Sequence, residues 1–288
     1  VDFLKGLIFA ILWASATVAT KIGLHSVEPF LLTAIRFAVV SILLLLYVHG
    51  YKGRQYAFPR TKDFRGLVLL GVLNITVYMT GYIIAIKHVS AGLISLVSAT
   101  NPLILILLSA AVSGRKLKWY EYTGMVISLS GLCLAAVPNL SDPHATFTGI
   151  AALVAGIVAL SAGSVYYSRC GLTLPKIVVN TWQITIGGLL FIPIVLLDPT
   201  PHYLIPDTRF FLTLGWLVLP VSIVASGLWL FLVHKDAVRA GMWLFLTPAL
   251  GYFLAVLILH EKLTWFGICG AVLVVTGLMI ARKRKQLA

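Results

Sequence analysis

Residues 102–132, PLILILLSAAVSGRKLKWYEYTGMVISLSGL, and residues 248–278, PALGYFLAVLILHEKLTWFGICGAVLVVTGL, are one segment written twice. At a shift of 146 positions and without a gap, Pro102 falls on Pro248, Leu108 on Leu254, Lys116 on Lys262, Leu117 on Leu263 and Trp119 on Trp265. Gly124, Val126, Gly131 and Leu132 fall on Gly270, Val272, Gly277 and Leu278. The same shift carries Pro29 to Pro175, Gly81 to Gly227 and His88 to His234, so the repeat reaches through most of each half. Internal repeats are read before anything else because they set the architecture.

The solvent of this chain is lipid. Of its 288 residues 60% are hydrophobic and 11% charged, and the mean hydropathy is +1.00, which leaves too little polar side chain to coat a soluble globule. A spanning helix needs roughly 20 mostly apolar residues. Ten such runs can be cut, at 3–24, 28–49, 64–86, 91–113, 119–137, 147–169, 176–197, 209–233, 239–259 and 263–281. The expected fold is therefore an all-α polytopic membrane protein, with ten transmembrane helices in two inverted five-helix repeats. Residues 1–138 make the first repeat and 147–288 the second, together one membrane domain. Five is odd, so the copies lie upside down to one another, and inverted repeats in a membrane mark alternating access.

Charge sets the orientation. The net charge of +13 would suggest nucleic acid in a soluble protein, but here the basic residues sit in the joints between apolar runs. With the N-terminus inside, 17 Lys and Arg fall on the inner side and 4 on the outer, which places both termini in the cytoplasm. The first run lacks a following small-residue cleavage pattern, so no cleaved signal peptide is expected. Cys133, Cys170 and Cys269 show no metal-ligand spacing and read as packing residues.

Each copy ends in a proline, an apolar run, a charged joint and a glycine-spaced last helix. In the second copy these are Pro248, Glu261-Lys262-Leu263, Gly270 and Gly277. This arrangement resembles the EamA repeats of the drug/metabolite transporter superfamily, and overall the chain is most similar to the YddG-type aromatic amino-acid exporters. In the first copy Arg115 stands where the acid is expected, so that half fits less well. The resemblance implies a central cavity between the halves and export of aromatic and other neutral amino acids or related metabolites.

Polar residues on an apolar helix point to protein or to a water-filled cavity. In the third run Gly71, Asn74, Tyr78, Gly81, Tyr82 and Ala85 recur at three- and four-residue steps. Its tyrosines would suit a ligand with a flat ring and a polar end, or sit in the interfacial belt. In the fourth, Ser95, Ser98 and Asn101 precede Pro102, whose mate Pro248 follows Thr247 and Trp243. Paired interruptions at matching positions point to a midplane site, although the prolines could equally be kinks alone. Ser164, Gln183 and Ser226 add polar positions in the second half, where small residues also serve close packing. Arg36, the one charge deep in a run, either anchors a substrate carboxylate or staples backbone carbonyls or Glu28. The candidate substrate-binding set is Arg36, Asn74, Tyr78, Tyr82, Ser98, Asn101, Ser164, Gln183, Ser226 and Trp243.

All nine acids and seven histidines lie at joints or ends. A proton-coupled antiporter needs a titrating group at depth, so strong proton coupling is not expected, and neither is an intramembrane enzyme. No cofactor, metal or nucleic-acid partner is expected. The partners are a small-molecule substrate and membrane lipid, with a monomer sufficient. A proton-coupled carrier or a metabolite importer on the same scaffold is the alternative, and a receptor a remote one.

Overall fold

The computed structural model describes residues 2–53, 55–114, 116–137, 143–235, 243–244 and 246–281. In chain order the first half supplies α1 (Asp2–Gly23), α2 (Pro29–Tyr51), α3 (Thr61–His88), α4 (Ala91–Ser113) and α5 (Trp119–Ala136). The second supplies α6 (Pro143–Tyr167), α7 (Lys176–Leu197), α8 (Thr208–Leu232), α9 (Leu246–Leu259) and α10 (Trp265–Ala281). Among the described residues the only β pairing is an isolated bridge, Val27 to Leu204. Among the described residues 7 helices, α1–α4 and α6–α8, are long and apolar enough to cross a bilayer, and the described stretches of α9 and α10 are apolar but shorter.

The joints carry their own helix signals. Glu28 accepts from Leu31 N at 2.8 Å and Pro29 opens α2, where its missing N–H costs nothing. Asp207 caps α8 through Phe210 N at 2.8 Å, and Asp63 folds back to Arg60 N at 2.9 Å before α3. One cap reaches across the molecule. Glu261, of the Glu-Lys-Leu joint, takes Ala91 N at 2.7 Å on one oxygen and Gly92 N at 3.0 Å on the other, closing the free amides at the start of α4. Glu261→Gln keeps the shape but loses the charge at a helix N-terminus, and a loss of about 1 kcal/mol in thermal unfolding is expected.

Most helix packing runs between the halves, and it obeys the repeat. α3 lies on α6 as α8 lies on α1; α1 lies on α9 as α6 lies on α4; α3 lies on α7 as α8 lies on α2. The self-matching pairs are α2 with α7, α4 with α9 and α5 with α10. On the last of these, Ser128 Oγ donates to Val274 O at 3.2 Å, and these two residues are themselves related by the 146-residue shift.

The interruptions differ from those expected. Pro102 falls in the first turn of the segment Asn101–Ser113, where proline removes no intrahelical bond, and it follows a real break, because α4 turns at Ala99 and Thr100. Pro248 lies in α9 next to Thr247, whose Oγ1 donates to Leu244 O at 2.8 Å. The paired distortions lie instead in α3 and α8, as π-helical turns at Val72–Val77 and Leu217–Ala225. They overlap under the repeat, which carries Val72–Val77 onto residues 218–223. Ser222 Oγ donates to Leu217 O at 2.8 Å, five residues back, while its mate Thr76 Oγ1 lies 3.4 Å from Gly71 O and donates to the nearer Gly187 O of α7 at 3.0 Å. π turns inside α-helices often mark functional sites.

Candidate functional site

Both π turns border a cavity between the halves. It has a main chamber and an adjoining one, and the two share Trp13, Asn74, Ile75 and Ser226.

Eight of the ten predicted site residues reach these chambers. Arg36 of α2, Asn74, Tyr78 and Tyr82 of α3, Ser98 of α4 and Ser226 of α8 line the main one. Ser164 of α6 and Gln183 of α7 line the other. The two remaining residues are packed elsewhere. Asn101 accepts from Ser161 Oγ at 2.8 Å in a buried bond that ties α4 to α6. Trp243 stands edge-on to Phe3, ring centroids 5.3 Å apart, and against Gly6. Trp243→Ala should therefore act through packing at that end and not through substrate choice.

The stripe read along α3 divides between two faces. Asn74, Tyr78 and Tyr82 face the chamber, while Gly71 meets the backbone of α7 at Gln183 and Gly187 and Gly81 that of α6 at Ala152. The polar side of the chamber is tightly organised. Asn74 Nδ2 donates to Gln183 Oε1 at 3.0 Å, and Gln183 Nε2 to Asn180 Oδ1 at 3.0 Å. The Tyr78 and Tyr82 rings lie 6.3 Å apart, and the buried Tyr82 hydroxyl, beside Thr17 and Thr20, makes no hydrogen bond of good geometry.

Arg36 is 8% exposed and donates from Nε to Ser222 Oγ at 2.7 Å, on the π turn of α8. Its guanidinium also lies over Phe37 and beside both tyrosines. The staple to Glu28 is not made, because Glu28 is engaged by Lys87 Nζ at 2.8 Å. Among the described residues no ion pair reaches Arg36, and no Asp, Glu or Lys joins it in lining either chamber.

Sequence reasoning passed over α1, which contributes Trp13 and Thr17 to the main chamber. The signal was present, since Trp13, Thr17 and Lys21 follow one another at four-residue steps through an apolar helix. Ser95, Ser222 and Thr247 also line the chamber; each sits on a polar stripe or beside a proline that the sequence displays.

A model of the EamA-like transporter family matches residues 3–137 and again 147–282. A probable amino-acid metabolite efflux pump of Escherichia coli is 26% identical over 290 residues, covering 97% of this chain and 94% of that one. An inner membrane transporter of the same organism, YedA, is 29% identical over 243 residues, covering 81% and 74%. A solved crystal structure superposes with a TM-score of 0.69 at 21% identity, covering 97% of this chain and 96% of that one, which establishes likeness of fold. With both halves matched by one family model, this chain belongs to the EamA-like transporter family: it is a membrane transporter for a small molecule and not an enzyme.

Proposed function

We propose that the protein exports neutral amino acids, especially aromatic and other apolar ones, and related metabolites across a bacterial inner membrane. Its path would be the cavity between two inverted halves of five crossings each, residues 1–138 and 147–288. The observation that carries this reading is the chamber itself: an apolar space bordered by two repeat-related π turns, holding a tyrosine pair and one arginine. A flat apolar side chain suits the tyrosines and Trp13, and a backbone-like polar end suits Arg36 and its hydroxyl neighbours. The efflux-pump name of one relative and the inner-membrane name of another agree with the direction and the membrane. The Lys and Arg distribution supports cytoplasmic termini. A monomer suffices, since the cavity is built within one chain.

Alternating access would rock one half against the other, with the π turns of α3 and α8 as the deformable points. Net flux would run down the solute's own gradient, because the described lining holds no carboxylate or histidine to carry a proton.

Purified protein in liposomes should move labelled Phe, Trp, Met or Thr well above protein-free vesicles, and an imposed pH gradient should leave net movement nearly unchanged. Binding without flux would point to a receptor, and uphill accumulation driven by protons would refute the uncoupled mechanism. Tyr78→Ala should lower flux about two- to tenfold through loss of an aromatic contact, with folding retained. Unaltered flux in that variant would remove Tyr78 from the path.

A further inference from the structure

Resting on the transport reading above, we infer that the chamber recognises its solute through a carboxylate and has no counterpart for an ammonium group, so that it favours organic monocarboxylates over the corresponding amino acids. The inference starts from the charges around the cavity. Arg36 is the one charged side chain among the described lining residues of both chambers, and only Nε is committed, to Ser222. The described carboxylates at the neighbouring helix ends are occupied elsewhere. Glu28 is held by Lys87 and by Leu31 N, and Glu261 by the amides of Ala91 and Gly92. A buried cation without a counter-ion is costly, and a planar guanidinium with its Nη edge uncommitted is shaped for a carboxylate.

An incoming monoanion brings the occupied site to zero net charge. A zwitterion leaves it at one positive charge, and its ammonium must be dehydrated against neutral groups only, hydroxyl and amide oxygens such as those of Tyr78, Ser98 and Asn74 and the aromatic faces, with no carboxylate among the described lining residues. Those oxygens serve a hydroxyl equally well. The favoured solutes are thus apolar 2-hydroxy, 2-oxo or N-acyl acids, the deaminated or acylated derivatives of amino acids, and an amine lacking the carboxylate is rejected.

The test uses full-length protein in liposomes and three solutes sharing the side chain that moves fastest in the amino-acid panel. For a phenyl ring these are phenylalanine, 3-phenyllactate, in which a hydroxyl replaces the ammonium, and phenethylamine, in which the carboxylate is gone. Protein-free vesicles set the background. The KM for 3-phenyllactate should lie about tenfold below that for phenylalanine, and phenethylamine should not move. Arg36→Gln should bring the two KM values together, and Arg36→Lys, which keeps the charge, should preserve their order at a lower rate. If Arg36→Gln does not fold, the wild-type ratio decides alone. An equal or higher KM for 3-phenyllactate, or rapid flux of phenethylamine, overturns the inference and leaves the amino-acid exporter standing. Absence of flux for every panel amino acid and every acid overturns both.

Discussion

Gly131→Leu is expected to destabilise the protein by about 3 kcal/mol or more, the upper end for overpacked cores, and to leave little monodisperse material in detergent. The cause lies where α5 and α10 touch along the repeat axis. A Cβ on Gly131 would stand 2.7 Å from Gly270 O, 2.7 Å from Leu273 Cβ and 2.8 Å from Val274 N. Two of these are backbone atoms of a helix and cannot swing aside. The repeat presents the same contact again, for a Cβ on Gly277 would lie 2.5 Å from Gly124 O and 2.6 Å from Ser128 N. Close backbone approach through small residues is how membrane helices gain packing where lipid gives no hydrophobic drive between them. Separating α5 from α10 at Gly131 also disturbs the Ser128 bond to Val274. Gly215→Leu is the control, because a Cβ there meets nothing within 4 Å and the residue is exposed. Thermal unfolding of the two variants in one detergent is the measurement; equal melting would show that α5 and α10 are not locked as described.

These contacts also show what the sequence could and could not convey. The 146-residue shift exposed the repeat, because apolar length and glycine spacing are written residue by residue, and the helix packing of the structure obeys it. The stripe of Asn74, Tyr78 and Tyr82 was legible for the same reason: polar groups in an apolar helix must be sheltered. The π turns were not. A π turn changes hydrogen-bond register without changing composition, so hydropathy and spacing pass through it unaltered. Only after alignment of the copies do Gly71 and Thr76 stand over Leu217 and Ser222, with a hydroxyl five residues after a carbonyl that it approaches. The prolines drew attention instead because their signal is local, yet Pro102, in the first turn of its helical segment, costs little and marks a start. Trp243 and Asn101 were expected at the cavity through their nearness to those prolines, and they pack beside it. Which neighbour a side chain meets depends on helix rotation about its axis, and a single aromatic or amide does not encode that.

Lys87→Met is expected to have the second large effect, again about 3 kcal/mol, by stranding a buried carboxylate. Lys87 Nζ lies 2.8 Å from Glu28 Oε1, out of line for a hydrogen bond, so this contact is an ion pair; it lies 3.0 Å from Asp198 Oδ2 and above the Phe30 ring. The Glu28 side chain is 3% exposed and the Lys87 side chain 21%. Removing the lysine leaves Glu28 with the Leu31 amide and a distant His202, whereas removing both charges leaves only Asp198, the less buried of the two acids and still bonded by Thr200, without its lysine. Lys87→Met with Glu28→Gln should therefore recover most of the loss, and a double-mutant cycle on melting temperature measures it. Failure of the second substitution to rescue would show that Lys87 acts by packing. The acid side gives an independent reading. Burial pushes the Asp198 carboxyl up, but the bonds from Thr200 and Lys87 outweigh it and hold the group below the usual carboxylate range. A lowered folded pKa stabilises the fold above the unfolded value of about 3.9 and is lost as pH falls through the folded value, so the wild type should weaken over that window and Lys87→Met less steeply. The cluster joins Glu28 and Lys87 of one half to Asp198 and His202 of the other, beside the Val27–Leu204 bridge and the bond from Ile205 N to Ser26 O at 2.7 Å. A rocking carrier must part these contacts to open this end. The rescued double variant, stable but without the ion pair, should thus export at least as fast as the wild type, and slower flux would place the rate-limiting opening elsewhere.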